Sequence, residues 1–360
     1  MGSILILKTG ALGDVLRTTS ILPGLAARTP GVSITWLTAS SAVDLVRLHP
    51  LVERVVPLDI SALDDPATLE RARRELGATR FERVLSFDDE EPLCALAASL
   101  ASDSLTGATL DAEGNRTYTR DAAPWFDMGL LSVHGKEAAD RMKVENQRTH
   151  PELLAQVCGV EPGEPELNLT PEAETRGATF AAAESVHANG PVVGLNTGAG
   201  GRWTSKQLPV ERTVELIRQL HAAHDGRVSF LVLGGPPERE RNDAIVREAS
   251  ALGARVIDGG TDNALLDFAA KVDLCDVVVS SDSLAMHIAI ARRRRVVAFF
   301  APTSAAEIEL YGRGEKVVST APDACSYRPD ADNSSITPER VAAAVMRQLE
   351  RVGAPGGSQA

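Results

Sequence analysis

The 360-residue sequence lacks the usual signs of a metal-held or disulfide-held protein. Its four cysteines, Cys94, Cys158, Cys275 and Cys325, are scattered, and no two form a C-x-x-C pair. This argues against a zinc ribbon or a disulfide framework and leaves buried or incidental thiols. His221 and His224 stand three apart with no third ligand nearby, and Asp330-Ala331-Asp332 has no strand before it, so no metal site is expected. No apolar run reaches the roughly 18 residues that would cross a bilayer. The N-terminus has no basic segment followed by a small-residue cleavage site; it opens directly on Ile4-Leu5-Ile6-Leu7. The expectation is a cytoplasmic protein with at most peripheral contact at the inner face of the cytoplasmic membrane. A basic excess is also missing: the formal net charge is −12, which argues against nucleic acid as a partner. The exception, Arg292-Arg293-Arg294-Arg295, reads as a helix C-terminus leading into a strand. Two catalytic signatures are absent as well. Without G-x-G-x-x-G a dinucleotide-dependent dehydrogenase is disfavoured, and without a nucleophile elbow so is a serine hydrolase of that kind.

What the sequence does have is a regular alternation. Short apolar runs at Ile4–Leu7, Ile34–Leu37, Val55–Leu58 and Val84–Phe87 read as strands. Helices are expected over Val15–Ala27, near Ser41–Leu48 and over Thr68–Leu76. Pro162-Gly163-Glu164-Pro165 then marks a linker. The pattern restarts with strands Val192–Leu195, Ser229–Leu233, Val256–Ile257, Val277–Ser280 and Val296–Phe300. Between them lie helices over Val210–Ala222, Glu238–Ser250, Ala264–Lys271 and Ala285–Ala291. Strands separated by helices at this spacing imply parallel sheets. The fold class is therefore α/β: two doubly wound, Rossmann-like domains over 1–165 and 173–336. A last helix over 337–352, with Thr337 as N-cap and Pro338 in its first turn, is expected to join the first domain. Such sheets bind ligands beyond the carboxyl ends of their strands, so the informative residues should follow strands.

Five loops meet that condition. Lys8-Thr9-Gly10-Ala11-Leu12-Gly13-Asp14 follows the first strand; its glycines permit a tight turn, and Asp14 stands where a helix begins. Asp14 suits a helix cap and a catalytic base alike, and the two roles can coexist. Asn196–Pro209 follows the first strand of the second domain. There Thr197, Gly198, Arg202, Thr204, Ser205 and Lys206 offer backbone amides, hydroxyls and two cations that suit a diphosphate. Glu238, after Gly234-Gly235, could accept from a ribose hydroxyl or simply sit in a first helical turn. Ser281-Asp282-Ser283 with His287 forms an anion-friendly rim, though Asp282 would also serve as an N-cap and His287 as a packed histidine. In the first domain Asp88 and Asp89 follow a strand and read as an acceptor-side or solvated acidic loop, beside Gly10, Leu12 and Gly13.

Taken in order, these loops resemble glycosyltransferase family 9, the ADP-heptose:lipopolysaccharide heptosyltransferases. The residues carrying the resemblance are Ile4 through Thr19, Arg202-Trp203-Thr204-Ser205-Lys206-Gln207-Leu208-Pro209, the Ser281-Asp282-Ser283 loop with His287, and Ile336-Thr337-Pro338-Glu339-Arg340-Val341. The family loop Asp-Thr-Gly-Leu-x-His reads Asp-Ser-Leu-Ala-Met-His here, and Lys-x-Trp-Pro reads Lys206-Gln207-Leu208-Pro209, which marks a divergent branch. The resemblance implies a GT-B architecture and inverting sugar transfer without an essential metal or cofactor. A nucleotide sugar, ADP-heptose by family, would be the donor, and a glycan or glycolipid hydroxyl the acceptor. It carries Asp14 over as general base, Lys206 as a donor-phosphate contact, Glu238 as a ribose contact, and Asp282 and His287 as donor-pocket residues. Other readings on the same architecture are transfer from another nucleotide sugar to a protein or small molecule, a sugar-nucleotide epimerase or hydrolase, and a non-catalytic sugar-nucleotide-binding protein.

Overall fold

The computed structural model describes residues 2–200 and 203–352. The chain divides into two compact units, one of residues 1–168 with 306–309, the other of residues 169–305 with 310–360.

In the first unit, strands β1 (Ser3–Leu7), β2 (Ser33–Ala39), β3 (Arg54–Leu58), β4 (Phe81–Ser86), β5 (Ser102–Leu110) and β6 (Arg116–Tyr118) form one sheet in the order β3-β2-β1-β4-β5-β6. All neighbours are parallel except β5 and β6. β1 is apolar and buried from Ile4 to Leu7 because helices cover both faces of a parallel sheet. Leu5, Leu7, Leu37, Val56, Val84 and Phe81 fill the core on one side, packed by Leu76 and Leu93 from two helices. The order turns back on itself at β1 and β4. The connections leaving these two strands therefore run to opposite sides and open a crevice at their carboxyl ends.

The single helix expected over Val15–Ala27 is instead Leu12–Thr18, a 3-10 turn Thr19–Ile21 and a second helix Leu22–Arg28. Pro23, which cannot donate inside a helix, sits in the first turn of that second helix, where an N–H has no partner anyway. The helix expected near Ser41–Leu48 contracts to Val43–Val46 behind a 3-10 turn. Helices Glu91–Ser99, Ala123–Phe126, Lys136–Glu145 and His150–Cys158, and strands β5 and β6, belong to the unit without having been anticipated.

The second unit repeats the plan with β7 (Val192–Asn196), β8 (Ser229–Leu233), β9 (Arg255–Asp258), β10 (Val277–Ser281), β11 (Arg295–Phe300) and β12 (Gly314–Val318). The order is β12-β11-β10-β7-β8-β9, parallel throughout, with its reversal at β7 and β10. Helix Pro338–Val352, expected in the first domain, lies in the second unit. Its Val341, Ala342, Ala344, Val345 and Leu349 are buried in the same core as Val297, Val317, Leu216 and Leu220. An amphipathic helix goes where its apolar stripe finds a partner, and this stripe finds one on β11, β12 and helix Val210–Ala223. Thr337 does stand at its start, accepting at 3.4 Å from the Arg340 N–H.

The thiols of Cys94, Cys158 and Cys275 are buried and unbridged. Burial pushes Cys94 up to about 11 and Cys158 up to about 12.

β5 crosses close to β4 at Gly107, whose φ is +118° and where a Cβ would lie 1.9 Å from the Ser86 carbonyl oxygen. Gly107→Ala must therefore push two paired strands apart while adopting a left-handed backbone. A loss of several kcal/mol is expected, on the order of 3 or more. Urea unfolding of the purified variant checks it, and an unchanged midpoint would contradict the close approach.

Candidate functional site

In the first unit the polar residues gather where β1 and β4 end. Lys8 leaves β1 with its N–H donating to the Leu37 carbonyl (3.1 Å) and its own carbonyl accepting from the buried Trp36 indole (3.2 Å). Its ammonium reaches across to Asp88 at the end of β4, 2.5 Å away, and also donates to the Gly10 carbonyl. The second carboxylate oxygen of Asp88 accepts from the Thr9 N–H. Burial alone would lower the Lys8 ammonium, but the charges of Asp88 and then Asp14, with the hydrogen bond to Asp88, reverse this and raise it. Asp88 therefore holds the β1 loop in place; it is buried rather than presented to a ligand. Asp89 is half-buried, and beside it Glu90 is raised by burial and by its negative neighbours, Asp88 first.

This clasp delivers the helix Leu12–Thr18. Ala11, in extended conformation, takes the cap position, so Asp14 falls in the first turn with Leu12 and Gly13 ahead of it. The acidic side chain is favoured there by the helix dipole. Asp14 keeps 37% of its side chain exposed and pairs with Arg17, three residues on, at 2.9 Å. Arg17 in turn lies 3.7 Å from the buried Glu307 and 5.7 Å above the Trp125 ring. Sequence reasoning missed Arg17, His150 and Glu307. Arg17 carried a signal, the i, i+3 spacing from Asp14; Glu307 lies nearly 300 positions away and carried none.

In the second unit the corresponding reversal, β7 against β10, collects the other candidates. The Asn196 amide donates to the Gly198 carbonyl (2.7 Å), the Ser280 hydroxyl (3.1 Å) and the Ser283 hydroxyl (3.2 Å), joining the two strand ends. Ser283, not Asp282, takes the cap position of helix Leu284–Ala291. The Asp282 carboxylate faces Lys206 at 3.0 Å and His287 at 3.4 Å, and the Lys206 ammonium also donates to the Asp282 carbonyl. The loop after β7 and the loop after β10 thus meet through Lys206, Asp282 and His287.

Glu238 sits in a 3-10 turn ahead of helix Arg239–Ala251 and is 5% exposed. One of its carboxylate oxygens accepts from the Gly235 N–H (2.9 Å); the other is buried with no hydrogen-bond partner among the described residues. Gly198 passes so close that a Cβ there would lie 2.2 Å from that second oxygen. Asn242 and Arg241 follow Glu238 at helical spacing. Asn242 accepts from Thr197 (2.5 Å), and Arg241 donates to the Thr197 carbonyl (2.9 Å) and to Gln207. Thr197 is thus occupied in holding its own loop. Thr204 and Ser205 likewise donate to the Pro329 carbonyl, at 3.1 and 2.8 Å. Arg202 lies outside the described residues. Asn196, Arg241 and Asn242 went unread, although the last two share a helix face with Glu238.

Two doubly wound units, each with its polar residues collected at the strand-order reversal, define an α/β protein whose candidate ligand sites lie beyond the carboxyl ends of its strands. The chain belongs to glycosyltransferase family 9 (heptosyltransferase), whose model matches residues 70–334, and the protein is a glycosyltransferase. Solved structures agree with the fold. The glycosyl transferase family 9 protein of Veillonella parvula DSM 2008 is similar with a TM-score of 0.80 at 19% identity, over 97% of this chain and 98% of that one. The E. coli ADP-heptose lipopolysaccharide heptosyltransferase II gives 0.66 at 18%, over 98% and 100%. The E. coli heptosyltransferase WaaC with ADP gives 0.58 at 22%, over 97% of each. At these identities the likeness carries the GT-B-type pair of parallel-sheet domains. No helix among the described residues is long and apolar enough to cross a membrane.

The Lys8–Asp88 pair is the anchor of the first cluster, with 11% and 4% of the two side chains exposed. Asp88→Asn leaves a buried ammonium without its charge partner. Removal of one member of such a pair costs about 3–5 kcal/mol, to be measured by urea unfolding at neutral pH. A loss within the error of the measurement would show the pair to be incidental.

Proposed function

We propose that this protein transfers a heptose from ADP-heptose, with inversion at the anomeric carbon, to a hydroxyl of a glycan or glycolipid acceptor in lipopolysaccharide assembly. The observation that carries the reading is the placement of Asp14. Its carboxylate follows the first strand, one turn into the helix, partly exposed and paired with Arg17 rather than spent at the cap position. Family membership and the ADP-heptose and ADP named for two similar structures support the donor.

In the proposed reaction the acceptor oxygen forms its bond to the anomeric carbon as the bond from that carbon to the diphosphate oxygen breaks. The electron pair leaves with ADP, and Asp14 takes the acceptor proton. A positioned base contributes about 10²–10⁴-fold. The diphosphate gains negative charge as it departs. Lys206, which a donor would share with Asp282, and the backbone amides after β7 and at the start of helix Leu284–Ala291 meet that charge. Glu238 offers its unpartnered oxygen to a ribose hydroxyl. With the charge met by these groups, the reaction needs no resident metal or cofactor, and transfer is expected to run at the same rate in EDTA.

Asp14→Asn is expected to bind ADP like the unaltered protein in calorimetry but to lose about 10²–10⁴ in kcat with ADP-heptose and extracted lipopolysaccharide inner core. Near-normal turnover in that variant would remove Asp14 from the role. Lys206→Ala is expected to weaken ADP binding about 10–100-fold, the worth of a hydrogen bond to a charged group. An unchanged ADP affinity would contradict the phosphate contact.

A further inference from the structure

An aspartate at the start of a helix does not by itself have a fixed direction. With 37% of its side chain exposed, Asp14 has room to change rotamer, whereas a general base must hold its oxygen within about 2.6–3.2 Å of the hydroxyl it serves. What sits around it limits that freedom. Arg17 lies one turn further along the same helix face, with 13% of its side chain exposed. One terminal nitrogen of its guanidinium is 2.9 Å from Asp14; the other faces Glu307 at 3.7 Å. Its face lies over Trp125, 5.7 Å from the ring centre. Trp125 is met edge-on by the His150 ring, with ring centres 5.0 Å apart and planes at 90°, and the His150 backbone N–H donates to the Glu307 carbonyl at 2.8 Å. The contacts close a ring: Asp14 to Arg17, Arg17 to Trp125 and Glu307, and both of these to His150.

An isolated exposed i, i+3 ion pair contributes almost nothing, because two long side chains must be ordered for a screened attraction. Here the arginine is already ordered by the ring beneath it and the carboxylate behind it, so the entropy of fixing it is spent before Asp14 joins. A planar, divided guanidinium also fixes orientation in a way that a lysine ammonium cannot.

We propose that Arg17 is a positioning residue for Asp14: laid on Trp125 and shared with Glu307, its guanidinium aims the Asp14 carboxylate and holds it ionised. This rests on the reading of Asp14 as the base. Glu307 sets how much of the cation Asp14 receives. Among the described residues, the charged groups near Asp14 include Lys8, which feels its charge directly, and Asp88 and Glu90, which act on Lys8. All three remain in the variants below, so a change in Asp14 titration follows from Arg17 and Glu307.

The test is the titration of Asp14 itself, followed by carbon NMR of protein labelled at the aspartate carboxyl carbons. Its signal is assigned by its loss in Asp14→Asn. Arg17→Met removes the cation, and the Asp14 midpoint is expected to rise by about one pH unit, the low end of what an opposite charge at this range does. Arg17→Lys keeps the charge and should recover most of that shift. Glu307→Gln releases the guanidinium to Asp14 and should lower the midpoint. In transfer from ADP-heptose, the acid limb of kcat/KM should move in step while KM for the donor stays put. An Asp14 midpoint that is the same with arginine, lysine or methionine at position 17 overturns the proposal whatever Asp14 does in catalysis. A midpoint that moves while the acid limb stays put overturns the base assignment, and with it the catalytic sense of the positioning. If Arg17→Met does not fold, the Lys and Gln variants decide between the same two outcomes.

Discussion

The first unit depends on a salt bridge that is nearly buried, between Lys8 and Asp88. Lys8 and Asp88 end adjacent strands at the point where strand order reverses, and the polypeptide must leave that point in two directions. Without a tie, two strand ends would diverge with backbone N–H and carbonyl groups left unsatisfied. Asp88 accepts from both the Lys8 ammonium and the Thr9 amide, and the ammonium also caps the Gly10 carbonyl. The turn that results sets the first residue of the following helix, and so which residue falls in its first turn. A charge pair nearly removed from water is costly to assemble and costlier to break. That makes it a suitable device for fixing one turn geometry among many.

The second unit solves the same topological problem with uncharged groups. At its reversal, one asparagine amide bridges the two strand ends through Gly198, Ser280 and Ser283. The charged residues Lys206 and Asp282 stand further out, on the loops themselves. The difference fits the ligands proposed for each unit. A diphosphate needs a cation that can exchange its partner, whereas a neutral hydroxyl needs a carboxylate that stays where it is put.

Much of this could be read in the sequence because buried parallel strands are written as apolar runs. β1, β2, β7, β8, β10 and β11 were all evident, and with them the loops that bear Asp14, Lys206 and Asp282. What escaped had physical reasons. Pro23 splits a helix whose periodicity continues through it, and β12 is a short strand with three polar or glycine positions of five. The last helix, expected in the first domain, joins the second unit, because only the partners for its stripe decide. Thr197, Thr204 and Ser205 have the chemistry of phosphate ligands, yet each has its hydrogen bond taken by its own unit. Hydroxyl type alone cannot distinguish a ligand contact from a loop fastening. The reverse holds for Glu307 and His150, whose importance comes from a neighbour far away in the chain.

That distance has a consequence for how the protein can be divided or recombined. Residues 306–309 belong to the first unit although everything on either side of them belongs to the second. The two units are therefore not beads on a string. A gene fragment ending at residue 168 would carry Asp14 and Arg17 but not the carboxylate and carbonyl that Arg17 and the His150 N–H engage. Exchanging one half for that of a relative would import a foreign tetrapeptide beside Arg17 and His150. A change at Glu307, although it lies in sequence among residues of the second unit, would thus act on the first.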